Sequence, residues 1–327
     1  MLPLLVANLA RRQLLQGLGG LFVLPLVGAC FREPPLAVAS HVWPGYELMF
    51  LAREEGWLDE APIRFLETRS ATESLAALKE GRVQAAALTL DEVLRGRADG
   101  LPLTIILVFD ISAGADVVLS RPDIQTPAQL KGRRIGVETS ALGALMLART
   151  LAYAGLSKAD VTVVPVTPDQ HIEAWQAGKV DTLITYEPIA SKLLRSGAHH
   201  LLDSRAFPET IFDVLAVRSD AAVNHKKALK MLVAGHFRGL EHLLRNPQDA
   251  AYRLAERLGL PGDQALNAFR GLSLPALSEN RYLLDGHGSL QVAAKEITQL
   301  LRADGLLDKT DDLNGLVSNA YLPPPSE

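Results

Sequence analysis

Short apolar runs alternate with amphipathic runs over the first two thirds of the chain. The helical run Tyr46–Glu55 places Leu48, Leu51 and Ala52 on one face. The apolar runs predict strands at Leu36–Ala39, Ile63–Leu66, Ala85–Thr89 and Leu103–Val108. Strands that alternate with helices predict crossover units, so we expect an α/β protein with mainly parallel strands and helices on both faces.

The same pattern starts again after Thr126. It predicts strands and helices in turn at Arg134–Val137, Ala141–Ala154, Val161–Val164, Asp169–Ala177 and Thr182–Ile184. The chain from Ala221 onward is nearly all helical, with an apolar stripe at Leu229, Leu232, Val233, Phe237, Leu240 and Leu244. This last third has too few strands for a sheet of its own, so we expect it to pack on the first sheet.

Two sheets within one chain predict two lobes, with hinge crossings near Asp116–Ser120 and Asp213–Ser219. The first lobe would comprise residues 36–116 and 219–322, and the second residues 117–218. Residues 323–327, rich in proline, would form a flexible tail.

The N-terminus has the pattern of an export signal. Arg11-Arg12 precede an uncharged run, Leu14–Val27, that is too short to span a bilayer comfortably. Residues 1–29 are therefore predicted to be a signal peptide. Small residues directly before Cys30 resemble a lipoprotein cleavage site, which predicts Cys30 as a lipid anchor and residues 30–35 as a linker. The alternative is an ordinary signal peptide with a nearby cysteine.

Composition narrows the classes of function. A hydrophobic content of 48% and a net charge of −4 favour a globular chain and argue against nucleic acid as a partner. The single cysteine excludes an internal disulfide and a thiolate metal site. No common phosphate-loop, dinucleotide, nucleophile-elbow or zinc-protease motif occurs, and His199-His200 are expected in a solvated loop. We expect no cofactor, no metal and no enzymatic activity.

Ligands of open α/β sheets bind beyond the carboxyl ends of the strands. Some residues at these strand ends also have a structural explanation: Ser140 can be a helix cap, Trp43 a core residue and Glu187 a solvated loop residue. The segments at the strand ends nevertheless predict a binding site formed by Trp43, Tyr46, Ser70, Thr89, Asp116, Glu138, Thr139, Ser140, Tyr186, Glu187 and Asp213.

Five segments in order resemble bacterial substrate-binding proteins of ABC importers, in the nitrate/sulfonate/taurine-like group that includes binders of thiamine pyrimidine precursors. They are WPGYELMFLAREEGWL (43–58), SLAALKEGRVQAAALT (74–89), LKGRRIGVE (130–138), QAGKVDTLITYEP (176–188) and FDVLAVRSD (212–220). The resemblance implies a two-lobed type II periplasmic-binding-protein fold that closes on a small molecule and delivers it to a membrane permease. It implies an exported monomer, periplasmic or at the cell surface, that meets the membrane through its lipid anchor alone.

The charges near the predicted cleft bear on the ligand. Candidate acids outnumber the one evident base, Arg69, which favours a neutral or cationic ligand such as an amine or a pyrimidine. The acids are Glu47, Asp110, Asp116, Glu138, Glu187 and Asp213. An anion held by Ser70, Ser140 and Arg69 is the alternative. The rival functions are a ligand-sensing receptor, an enzyme similar to a pyrimidine synthase and a purely structural lipoprotein.

Overall fold

The structure is a computed structural model that describes residues 34–59, 61–139, 142–309 and 311–324. The predicted signal peptide, Cys30 and Ser140 lie outside the described residues. Residues Pro35–Glu327 form one unit by their internal contacts. Its strands are β1 Leu36–Ser40, β2 Ile63–Glu67, β3 Ala85–Thr89, β4 Leu103–Ser112, β5 Val117–Ser120, β6 Arg134–Val137, β7 Thr162–Pro165, β8 Thr182–Thr185, β9 His199–Asp203, β10 Phe212–Arg218 and β11 Leu272–Ser273.

Helices connect these strands and cover both sheets. Ala71–Lys79 follows a Ser70 side chain that accepts from the N–H of Glu73, and Leu90–Ala98 begins with a Thr89–Glu92 capping box. The α-helices are Glu47–Glu54, Ala71–Lys79, Leu90–Ala98, Leu142–Tyr153, His171–Gln176, Ile189–Arg195, Ser219–Ala222, Lys226–Arg245, Pro247–Leu258, Leu277–Leu283 and Ser289–Ala303.

The strands form two sheets. The first has the order β11-β4-β10-β3-β1-β2 and the second has the order β7-β6-β8-β5-β9. Both sheets are mixed. In the first, β10 runs antiparallel to β3 and β4; in the second, β5 runs antiparallel to β8 and β9. The predicted α/β class is confirmed, and the antiparallel pairs refine the expectation of mainly parallel sheets.

The reversed strands are those that carry the chain between the sheets. The chain leaves the first sheet through β4 and enters the second as β5; it leaves through β9 and returns as β10. β5 and β10 each begin at the end of their own sheet that faces the other sheet. Each therefore runs antiparallel to its neighbours in the sheet that it joins. All of Phe212–Arg218 belongs to the first sheet.

The helical last third packs on the first sheet. Helix Lys226–Arg245 buries Leu229, Leu232 and Val233 in the core around β1, β3, β4 and β10. The predicted stripe is wrong at its end, because Leu244 is 68% exposed and Leu243 is buried instead. His199-His200 are also not in a loop, since they begin β9. No helix among the described residues is long and apolar enough to cross a membrane.

Candidate functional site

A buried cavity lies where the carboxyl ends of strands from both sheets meet. The space inside the cavity that the centre of a water molecule can occupy has a volume of about 40 Å³. The first sheet and its helices contribute His41, Trp43, Tyr46, Ala71, Thr89, Glu92 and Asp213. The second contributes Glu138, Leu142, Gly143, Met146, Pro168, His171, Ile184, Thr185 and Tyr186, and Asp116 follows the first crossing. A molecule in this cavity would contact both sheets.

Most of the residues singled out from the sequence lie around this cavity. Trp43, Tyr46, Thr89, Asp116, Glu138, Tyr186 and Asp213 line it. Ser70, Thr139 and Glu187 are not among its lining residues, and Ser140 is not described. Sequence analysis missed Glu92, His41 and His171. The Thr89–Glu92 spacing of a capping box after a strand was the available signal for Glu92.

The Trp-Pro-Gly-Tyr turn directs two aromatic side chains onto buried aspartates. The Trp43 indole N–H donates to Asp110 Oδ2 at 3.0 Å, and the Tyr46 hydroxyl donates to Asp213. Gly45 permits this packing, since a Cβ atom there would lie 1.8 Å from Asp110 Oδ2. Glycine is therefore required at this position by close approach of the backbone to a carboxylate.

Asp110 and Asp213 form an acid pair. They lie opposite each other on β4 and β10, and both side chains are buried. Burial raises the pKa of Asp110 to about 7 and that of Asp213 well above its ordinary value, with the Asp110 charge as the next cause for Asp213.

The cavity also holds polar atoms without a partner among the described residues. They include Asp116 Oδ2, Asp213 Oδ2 and His41 Nδ1, on residues that are 3%, 3% and 7% exposed. Burial raises the pKa of Asp116 to about 7 and lowers that of His41 to about 4. Buried polar atoms are nearly always paired, so these three are positioned to meet a ligand or water.

Aromatic rings join the two sides of the cavity. The Trp43 and Tyr186 ring centroids lie 5.2 Å apart in an edge-to-face arrangement, and His41 lies 6.2 Å from Tyr186. Trp43 precedes the first helix of the first sheet, whereas Tyr186 follows β8 of the second. The rings form an apolar wall to which both sheets contribute.

Two glutamates reach across the cavity. Glu92 accepts from the N–H of Leu142 at 3.0 Å, and Glu138 accepts from the N–H of Thr72 at 3.2 Å and from the Thr72 hydroxyl. Leu142 begins a helix of the second sheet, and Thr72 lies in the first turn of a helix of the first. Burial raises the pKa of Glu92 to about 8.

The other predicted residues that the structure describes lie outside the lining of this cavity. Ser70 caps helix Ala71–Lys79, and Thr139 is exposed. Glu187 accepts from the N–H and the hydroxyl of Ser191 and lines a separate cleft of about 630 Å³. Arg69 is 77% exposed and pairs with Glu73.

Glu47, a candidate acid of the predicted cleft, is bound elsewhere. It pairs with Arg257 and is fully buried beneath it. The cavity lining contains no Lys or Arg among the described residues. Nor do any three His, Cys, Asp or Glu side chains in the described ranges lie so that they could hold a metal ion.

Comparison with known proteins identifies the class of this architecture. The alkanesulfonate-binding protein SsuA of Xanthomonas axonopodis pv. citri, bound to MOPS, superposes with a TM-score of 0.71 at 22% identity, covering 88% of this chain and 97% of that one. The desulfurization enzyme DSZB superposes with a TM-score of 0.64 at 17% identity, covering 88% and 97%. The fold is thus that of periplasmic binding proteins, a fold that an enzyme also uses.

The sequence comparisons identify the family. The model of the NMT1/THI5-like family matches residues 43–250, more than half of the chain, and the chain belongs to this family. The taurine-binding periplasmic protein of Escherichia coli (strain K12) is 22% identical over 263 residues, which cover 78% of this chain and 80% of that protein. The resemblance to the sulfonate/taurine/nitrate type of ABC-importer substrate-binding protein is confirmed.

Proposed function

We propose that this protein is the solute-binding component of an ABC importer and that its ligand is a small neutral or cationic nitrogen-bearing compound, such as an amine or a pyrimidine. The observation that carries the ligand class is the lining of the cavity. Among the described lining residues it offers carboxyl groups and neutral imidazoles but no Lys or Arg.

The unpartnered atoms of the cavity match a ligand that donates hydrogen bonds. Asp116 Oδ2 and Asp213 Oδ2 are acceptors when ionised, and a buried carboxylate without a donor is costly. An ammonium or an amino group would satisfy both. Trp43 and Tyr186 would pack against the flat or apolar part of the same molecule, and an aromatic face also attracts a cation.

The relatives argue for an importer role, and the cavity argues against an anion. The E. coli relative is named for taurine, and the superposed SsuA protein is an alkanesulfonate-binding protein. A sulfonate in this cavity would lie beside Glu92, Asp116, Glu138 and Asp213 without a basic residue to balance its charge. We therefore infer a ligand different from those in the names of these relatives.

A binding role is favoured over catalysis. The cavity has one hydroxyl–imidazole pair, Thr185 Oγ1 and His171 Nδ1, 3.0 Å apart. Burial lowers the pKa of His171 to about 4, which makes it a weak base at neutral pH. Closure of the two sheets over a ligand that touches both would instead present a loaded form to a partner.

The remaining parts of the proposal concern location and partner. The protein would be exported, held at the membrane by a lipid on Cys30, and would deliver its ligand as a monomer to a permease. Labelling of Cys30 with a radioactive fatty acid in cells tests the anchor. Failure of Cys30→Ala to change labelling would contradict it.

The ligand class is tested by thermal unfolding of the purified protein against amines, polyamines, pyrimidines, amino acids, nitrate, taurine and alkanesulfonates. A ligand at 100 times its Kd adds about 2.7 kcal/mol to the free energy of unfolding, a rise of several degrees in Tm. We expect the rise with an amine or a heterocycle. A rise with sulfonates alone would contradict the proposed ligand class, and no rise with any compound would favour a sensing role for an untested ligand.

A further inference from the structure

Two carboxylates of the cavity end at the N-termini of helices that belong to the opposite sheet. Glu92 comes from helix Leu90–Ala98 on the first sheet and bonds to Leu142, the first residue of a helix on the second. Glu138 follows β6 of the second sheet and bonds to Thr72 on the first. The two contacts are reciprocal, and their side chains are 1% and 7% exposed.

The first turn of a helix has N–H groups without partners in the helix, and its dipole favours negative charge. Anionic ligands are commonly held at such positions. Here the two positions that face the cavity are filled by carboxylates of the chain itself. An acidic ligand would have to displace Glu92 or Glu138 from these N–H groups, or lie beside the carboxyl group that occupies them.

We propose that Glu92 and Glu138 are specificity-determining residues that occupy the two anion-binding positions of the cavity and thereby reject acidic ligands. This inference deepens the proposed function and rests on it for the role of the cavity. The unpartnered oxygens of Asp116 and Asp213 point to the same selectivity, because they remain as acceptors for a ligand that donates hydrogen bonds.

The test compares binding of ethanesulfonate with binding of ethylammonium, each measured by calorimetric titration or by tryptophan fluorescence, to which Trp43 in the cavity contributes. Glu138→Ala removes the carboxylate that bonds to Thr72, and Glu92→Ala removes the one that bonds to Leu142. Each variant should bind ethanesulfonate at least 10-fold more tightly than the wild type does. Glu138→Gln keeps an acceptor oxygen without the charge, so its gain should be smaller.

Glu73→Gln is the matched control. Glu73 lies in the first turn of the same helix as Thr72, but its carboxylate bonds to the exposed Arg69 outside the cavity. This variant should bind ethanesulfonate as the wild type does. A Tm measurement on every variant checks that it is folded, and Glu138→Gln, which preserves the shape of the side chain, provides the result if Glu138→Ala does not fold.

The outcomes separate this inference from the proposed function. Tighter ethanesulfonate binding by the cavity variants supports the inference, even if no amine or heterocycle binds the wild type. Equal ethanesulfonate binding by wild type and variants overturns the inference, even if the wild type binds an amine. An equal gain in Glu73→Gln also overturns it, because net charge alone would then account for the effect.

Discussion

Asp213 on β10 lies opposite Asp110 on β4, and both side chains are buried. Trp43 donates to Asp110, and Tyr46 donates to Asp213. The turn that opens the first helix is thus joined to the two strands beside the crossings. The pair therefore connects the predicted ligand loop with the strands that flank the two crossings.

The buried acids make stability depend on pH. The pKa values of Asp110 and Asp116 are raised to about 7 and that of Glu92 to about 8, whereas carboxyl groups of an unfolded chain titrate near pH 4. Between these values the folded protein binds more protons than the unfolded chain. The free energy of unfolding therefore falls as pH rises toward 8.

The buried histidines change the free energy of unfolding with pH in the opposite direction, and they do so over a lower pH range. The pKa values of His41 and His171 are lowered to about 4, so their contribution to stability is complete above about pH 6.5 and is lost as pH falls. Between pH 6.5 and 8 only the acids act. Urea unfolding should show stability lower by about 1 to 3 kcal/mol at pH 8 than at pH 6.5.

Asp116→Asn tests the origin of this slope. It removes one of the titrating groups, so the loss of stability between pH 6.5 and 8 should be smaller than in the wild type. Asp123→Asn, at an exposed pair with Arg133, is the control and should retain the wild-type slope. Stability that increases with pH over this range would contradict the assignment.

Gly45→Ala should destabilise the protein by about 1 to 3 kcal/mol, because the added methyl group would overlap Asp110 Oδ2. The variant should also bind ligand more weakly, since Trp43 and Tyr46 flank the displaced turn. Gly286→Ala is the control, because nothing lies within 4 Å of a Cβ atom there. Thermal unfolding of both variants makes the comparison, and an equal effect on Tm would disprove the steric explanation.

Asp213→Asn and Glu187→Gln distinguish the cavity from the position expected from the sequence alone. Asp213 lines the cavity with an unpartnered oxygen, whereas Glu187 bonds to Ser191 in a separate cleft. Asp213→Asn should weaken binding of a cationic ligand by at least about 10-fold, as expected when a charge-assisted hydrogen bond worth about 1.5 to 3 kcal/mol is lost. Titration with Glu187→Gln should give the wild-type Kd; a comparable loss there would place the ligand elsewhere.

The glutamate contacts should also hold the sheets together without ligand. Small-angle scattering should give the wild type a radius of gyration near the ~19 Å expected for a folded chain of this size. In Glu92→Ala/Glu138→Ala both contacts are lost, and opening should raise the radius by roughly 1 Å. An unchanged radius would mean that other contacts, such as that between Trp43 and Tyr186, hold the closed form.

The sequence by itself determined the local structure and the chemistry of the strand ends. Apolar runs bounded by turns are sufficient to predict β1 to β4 and β6 to β8, because strand periodicity is a local property. The sequence predicts Trp43, Tyr46 and Asp213 at a ligand site for the same reason. Trp43 and Tyr46 follow the end of one strand, and Asp213 lies near the start of another. The NMT1/THI5-like relationship follows from such segments in their order.

Only the tertiary structure decided which strands are reversed and which side chains face each other. The short β5 and β9 have no distinctive pattern, and the direction of β10 depends on the path of the chain between sheets. Glu92 is 46 residues from Glu138, yet each bonds to the helix on the other side of the cavity. Glu187 and Glu47 carry the same carboxyl group as Glu92 and Glu138, but they lie outside the cavity. Orientation and long-range pairing depend on how the sheets pack, which no local pattern records.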